Sequence, residues 1–213
     1  MAGQIATVLP RVEQAIRQAT RRTLHGESVP AGEKIVSMFE PHTQIIVRNK
    51  AGKPVEFGRK LWLAEVEGGI VSGWRVLDAP GPDTPYLMPS LAEHRQRFGK
   101  PPRLVAADRG VFSPQNETRA QQAGVKRVAI PATGRASNSE RTHTERQRWF
   151  RQGFRFRAGI EGRISVLQRA YGLDRCRDHG EAGMGRWIGW GIVTANLERI
   201  ARTQAQRMAG RAL

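Results

Sequence analysis

Ile5, Val8, Leu9, Val12 and Ile16 recur every three to four residues, a spacing that predicts a helix over 4–24. Pro10 lies inside it and weakens its first turn, because proline lacks the N–H the helix would use. Gly26 to Gly32, with Pro30, reads as a linker. Four strand-like segments follow. Lys34–Phe39 and Thr43–Arg48 are parted by the turn signal Glu40-Pro41-His42; Phe57–Val66 and Ile70–Leu77 join through Gly68-Gly69 as a hairpin. The Pro- and Gly-rich stretch Asp78 to Pro85 offers Asp83 or Thr84 as cap for a helix reaching Phe98, with Leu87, Leu91, His94 and Phe98 on one face.

Gly99-Lys100-Pro101-Pro102 stops that helix, and Arg103–Ala107 is a short apolar strand. Ser113-Pro114 has the form of an N-cap followed by proline at the first helical position, and Gly124 suits the far end. With Val125–Ile130 as the next strand, this stretch predicts a small parallel β-α-β unit. Residues 131–139 read as an exposed loop, and helices over about 140–171 and 180–204 close the chain. A hairpin leading into parallel strands, with helices between and after, is an α/β or α+β layer arrangement.

Composition narrows the partners. The 213 residues carry 35 Lys+Arg against 19 Asp+Glu, a net +16 that calls for an anionic partner, nucleic acid first. Residues 131–213 hold 16 Arg against 7 acids, net +9, and the densest stretch is 141–163. Arginine suits phosphate because its planar fork can bind two oxygens. Lone Cys176 excludes a disulfide scaffold and a cysteine-based zinc finger, and the five histidines show no metal-ligand spacing. No apolar run approaches a membrane span. The expectation is a soluble, intracellular protein.

Two acids stand out. Asp108 follows the strand Leu104–Ala107, where open parallel sheets place their active crevices, although an Asp-x-Gly turn is an ordinary structural use. On a helix over 148–171, Trp149, Phe156, Ile160, Ile164, Leu167 and Tyr171 form the expected core stripe. Phe154, Arg157, Glu161 and Gln168 form a second stripe beside it, and Arg148, Arg151, Arg155 and Arg169 take the far side. Glu161 could simply pair with Arg157 four residues back. Gly153, Gly159 and Gly162 around it suggest close approach of a backbone or ligand, or a kink.

These residues resemble the DDE transposases of bacterial insertion sequences. The family's helix motif Tyr-x2-Arg-x3-Glu-x6-Lys has its counterpart in Phe154, Arg157, Glu161 and Gln168, two of four positions matching. Ala107-Asp108-Arg109-Gly110-Val111-Phe112-Ser113 with Asn116 looks like the strand bearing the second Asp, and Phe57-Gly58-Arg59-Lys60 resembles the Phe-Gly-x-Lys strand. Tyr171-Gly172-Leu173-Asp174-Arg175 also reads as family sequence, so the likeness runs from about residue 20 to 204.

The resemblance implies a ribonuclease H-like mixed sheet, hairpin plus parallel strands flanked by helices, incomplete at the N-terminus. Upstream of Phe57 there is no Asp to serve as the family's first catalytic acid. It implies three segments: 1–30 as helix and linker, 31–204 as catalytic-core portion, and 205–213 as a basic tail. It also implies metal-dependent DNA cleavage and joining, here in a truncated copy. Asp108 and Glu161 would be catalytic and hold Mg²⁺ or Mn²⁺; Arg148, Arg151, Arg155, Arg157 and Arg169 would contact duplex DNA. A homo-oligomer on DNA and a cytoplasmic, nucleoid-associated bacterial location complete the expectation. The alternative is a catalytically inactive, sequence-nonspecific DNA-binding remnant.

Overall fold

The computed structural model describes residues 2–47, 52, 54–78, 81–132 and 138–210. It has a mixed α/β composition and divides into two compact units. The first takes Met1–Leu61, Val76–Pro80 and Arg177–Arg186; the second takes Trp62–Arg75, Gly81–Cys176 and Trp187–Leu213. That division differs from boundaries at residues 30 and 204.

In the first unit, α1 (Ala2–Thr23) turns a polar stripe to the chain that follows it. Arg11 donates to the Met38 carbonyl (3.1 Å), Gln14 Nε2 to that of Glu33 (2.9 Å), and Gln18 Oε1 accepts the Ile35 N–H (2.9 Å). The expected strand Lys34–Phe39 does not form, because side chains of α1 take the main-chain groups that a strand partner would use. β1 (Gln44–Val47) and β2 (Val55–Gly58) pair antiparallel, with Gln44 opposite Gly58 and Val47 opposite Val55. Arg48, expected to end β1, lies outside the described residues. The expected strand Phe57–Val66 is broken at Arg59-Lys60. Gly58 turns there at φ 145°, and Arg59, 5% exposed, donates to the Leu77 carbonyl (3.0 Å), Asp78 Oδ1 (3.2 Å) and Glu181 Oε1 (2.7 Å).

The hairpin expected over 57–77 is shorter than predicted. β3 (Leu61–Val66) pairs with β4 (Ile70–Val76), and a three-residue link permits only antiparallel pairing. In the second unit, a 3₁₀ turn at Thr84–Tyr86 precedes α2 (Leu87–Phe98). Neither Asp83 nor Thr84 caps α2, whose N-cap position is Tyr86 without a side-chain bond; Gly99 ends the helix at φ 72°. β5 (Leu104–Ala106) and β6 (Arg127–Ala129) pair in parallel, Val105 opposite Val128, with α3 (Pro114–Gln122) between them. Ser113 caps α3 by accepting the Asn116 N–H (3.0 Å), as the Ser-Pro pattern predicts. Leu87, Leu91, Val111, Ala120, Val125, Val128 and Ile130 form the core, with Trp62 and Val105 packed on it.

The six strands form three two-stranded sheets rather than one mixed sheet, because no strand pairs with both β3 and β5 among the described residues. Residues 133–137 of the expected loop lie outside the described residues. The helix expected over 140–171 is two, α4 (Ser139–Arg146) and α5 (Arg148–Tyr171), broken where Gln147 adopts an extended ψ of 146°. α6 spans Gly180–Ala209, so residues 205–209 are helix rather than tail; 211–213 lie outside the described residues.

Candidate functional site

Asp108 sits one residue beyond the end of β5. It stands at the head of a 3₁₀ turn, Arg109–Val111, yet its carboxylate does not cap that turn. The main chain closes it instead, through the Val111 N–H to the Asp108 carbonyl (3.0 Å). Buried Asn116 fixes the turn from below, its amide donating to the carbonyls of Val111 (3.0 Å) and Thr84 (2.8 Å). The Asp83 carboxylate also lies against the turn, 3.6 Å from where a Cβ on Gly110 would stand. The Asp108 side chain is thus released from local duty and half exposed.

Glu161 reaches the same place from α5. Arg157 donates to Asp108 Oδ2 with one guanidinium nitrogen and to Glu161 Oε1 (3.2 Å) with another. Two acids on distant segments therefore meet one cation. The guanidinium is 17% exposed, Asp108 53% and Glu161 71%, so the pair faces solvent over a half-sunken arginine.

No protein family, curated protein or solved structure matches the chain.

The buried face of α5 differs from the expected stripe. Phe150, Gly153 and Leu167 are buried and Ile160 is half-buried, whereas Phe156 and Ile164 leave 41% and 36% of their surface exposed. Gly153 decides this. A Cβ there would stand 2.7 Å from Ala129 Cβ and 3.1 Å from Leu104 Cδ2, so the helix lies directly on β5 and β6 at this point. Arg157, one turn on from Gly153, falls at the edge of the buried face and reaches Asp108. The other two glycines do not mark a close approach, since a Cβ at Gly159 or Gly162 would meet nothing within 4 Å.

Arg148, Arg151, Arg155 and Arg169 are all exposed on α5, and among the described residues none of them enters an ion pair. They are open to phosphate, although Arg169 also donates to the Ser165 carbonyl (3.4 Å). Arg157 does not belong with them, because Asp108 and Glu161 hold it.

A divalent ion does not fit this arrangement. The guanidinium already engages both acids, and among the described residues no group of three Asp, Glu, His or Cys could hold a metal. Magnesium needs near-octahedral oxygen ligation, and these two acids, with a guanidinium between them, do not supply it.

Sequence reasoning missed Arg141. It counted as one of many arginines, but it is 11% exposed and donates to Glu117 on α3 (2.7 and 2.9 Å) and Glu145 (3.3 Å). Its guanidinium also lies over the Phe112 and Phe150 rings, at 5.2 and 5.5 Å. The signal available was Glu145 four residues on, a spacing that joins helix neighbours. In the first unit, Glu40 receives His179 Nδ1 (3.1 Å) and the Gly180 N–H (3.1 Å), and the His179 bond leads in holding its carboxyl below the ordinary range.

Proposed function

We propose that the chain is a core portion of a DDE-type transposase of bacterial insertion sequences, with a ribonuclease H-like layout, that acts on cytoplasmic, nucleoid-associated duplex DNA. The observation that carries the reading is the meeting of Asp108, beyond β5, with Glu161, on α5, over one guanidinium. A turn composition or an intrahelical pair alone gives no reason for that convergence. Arg148, Arg151 and Arg155 supply phosphate contacts on the exposed side of the same helix. Arg157 lowers the repulsion two carboxylates would exert on an approaching phosphate. In the family, Mg²⁺ or Mn²⁺ supports in-line displacement at phosphorus. Arg157 takes one oxygen of each acid, and among the described residues no third metal-ligating side chain joins them, so the proposed role of the site's arginines is to bind and orient the phosphate.

A second reading, a non-catalytic DNA-binding remnant, is favoured by that same engagement of both acids by Arg157. The two share the DNA surface and differ in chemistry. DNA affinity should fall steeply with salt, and Arg151→Ala with Arg155→Ala should flatten the log–log slope by about one unit for each phosphate left without its arginine. An unchanged slope removes this helix face from both readings. Nicking of supercoiled plasmid in Mn²⁺, abolished by Asp108→Asn and by Glu161→Gln, supports the transposase. Salt-dependent binding without any nicking supports the remnant.

A further inference from the structure

The middle of α6, Trp187 to Leu197, contains no charged residue. One face of it is occupied within the second unit. Ile188, Ile192 and Ala195 are buried, and Asn196 trades hydrogen bonds with the Val71 main chain, both at 2.9 Å. Gly191 lies so near Leu173 that a Cβ would stand 2.3 Å from its Cδ1. The opposite face is apolar as well. Trp190 is 71% exposed, Val193 45%, Leu197 61% and Ile200 44%. Their spacing of three, four and three residues is that of a helix–helix seam. A helix apolar all round is ordinarily covered on both sides, and these four side chains alone leave roughly 400 Å² open, enough to mark an interaction site.

We infer that this stripe is a contact between two copies of the chain, α6 against α6, antiparallel about a twofold axis near Ala195. The spacing is symmetric about that residue, so Trp190 of one copy meets Ile200 of the other, and Val193 meets Leu197. A contact that is the same patch on both copies must be self-complementary, and this one is. Charge selects the occupant. Two chains of net +16 repel each other, so an uncharged stripe is where copies meet at least electrostatic cost, whereas a nucleic acid would need cations along it. Area sets the strength. The four side chains of each copy supply about 800 Å² in all, and exposed Thr194, Ala201 and Gln204 at their flanks bring the total toward a small specific interface of about 1,200 Å². The dimer should therefore be weak, with Kd on the order of 10 µM. It should also tighten with salt, which screens the repulsion; DNA binding by the same chain should do the reverse. The inference does not depend on the transposase reading.

Sedimentation velocity of the full chain without DNA tests it, from about 1 to 100 µM at about 0.1 and 1 M NaCl. The expected result is a monomer–dimer equilibrium that shifts toward dimer at high salt. Leu197→Glu should weaken it at least about 100-fold and Trp190→Gln measurably, with circular dichroism and melting unchanged because both positions are exposed. Leu9→Glu and Ile16→Glu, on the exposed apolar side of α1, should leave the dimer intact. A wild type that stays monomeric at both salts overturns the inference. So does a dimer that survives Leu197→Glu, or one lost only in the α1 variants. Neutral lipid vesicles that bind the wild type but not Leu197→Glu, with no dimer in solution, would assign the stripe to a membrane instead and also overturn it.

Discussion

The three glycines of α5 make the most discriminating test of how this helix is used. Gly153 rests on the strands, whereas Gly159 and Gly162 flank Glu161 over open space. Replacing any of them with alanine restores helix propensity worth about 1 kcal/mol. At Gly153 that gain is outweighed. The new Cβ would stand 2.7 Å from Ala129 Cβ and 3.1 Å from Leu104 Cδ2, and both neighbours are held in paired strands. Overpacking of this kind costs roughly 1–3 kcal/mol, so Gly153→Ala should be net destabilising by up to about 2 kcal/mol. Gly159→Ala and Gly162→Ala meet no atom and should each stabilise by up to about 1 kcal/mol. Urea unfolding followed by far-ultraviolet circular dichroism gives both signs in one assay, with all variants compared at constant m. Destabilisation by Gly159→Ala or Gly162→Ala would refute the reasoning, since it would require another segment to pack beside Glu161. If instead they stabilise the free protein but weaken DNA binding, the glycines serve the approach of DNA to the acids.

Asn116→Ala would leave the Thr84 and Val111 carbonyls without their amide donor and should cost roughly 2 kcal/mol, seen as a lower melting temperature. Arg157→Gln would leave Asp108 and Glu161 without their shared cation; calorimetric titration should find Mn²⁺ bound about tenfold more tightly than by the wild type, after allowing for solvent screening. The Tyr171 hydroxyl donates to Glu198, a bond that raises the phenol above its ordinary 10.0 and lowers the carboxyl below its ordinary 4.5, burial acting upward on both. The raised phenol stabilises the fold fully below pH 10.0, and that is lost as pH climbs through the higher folded value. The lowered carboxyl stabilises above pH 4.5, and that is lost as pH falls through the lower folded value. The stability difference between wild type and Tyr171→Phe should thus be flat near neutrality and shrink toward both extremes; a difference that does not change with pH refutes the bond.

Short-range chemistry was legible in the sequence. Ser113-Pro114 specified the start of α3, and Gly99 and Gly124 closed their helices with positive φ, because each depends on neighbours within a few residues; the parallel pairing of 104–106 with 127–129 was legible from the order strand, short helix, strand. The positions of Asp108 and Glu161 on a strand end and a helix were legible for the same reason. Other features needed tertiary structure. Which face of α5 is buried depended on where the helix touches the strands, and Gly153, the residue least visible to a hydrophobic pattern, decided it. Lys34–Phe39 had strand composition but lost main-chain partners to Arg11 and Gln18, and Phe57–Val66 was broken by a buried arginine whose acceptors lie far along the chain. Arg141 looked like a member of a solvated basic set, and for Arg157 the spacing offered only Glu161 on its own helix; the fold brought Glu117 to the one and Asp108 to the other. A guanidinium's role depends on which carboxylates come within about 3 Å of it, and sequence spacing carries that information only for partners on its own helix.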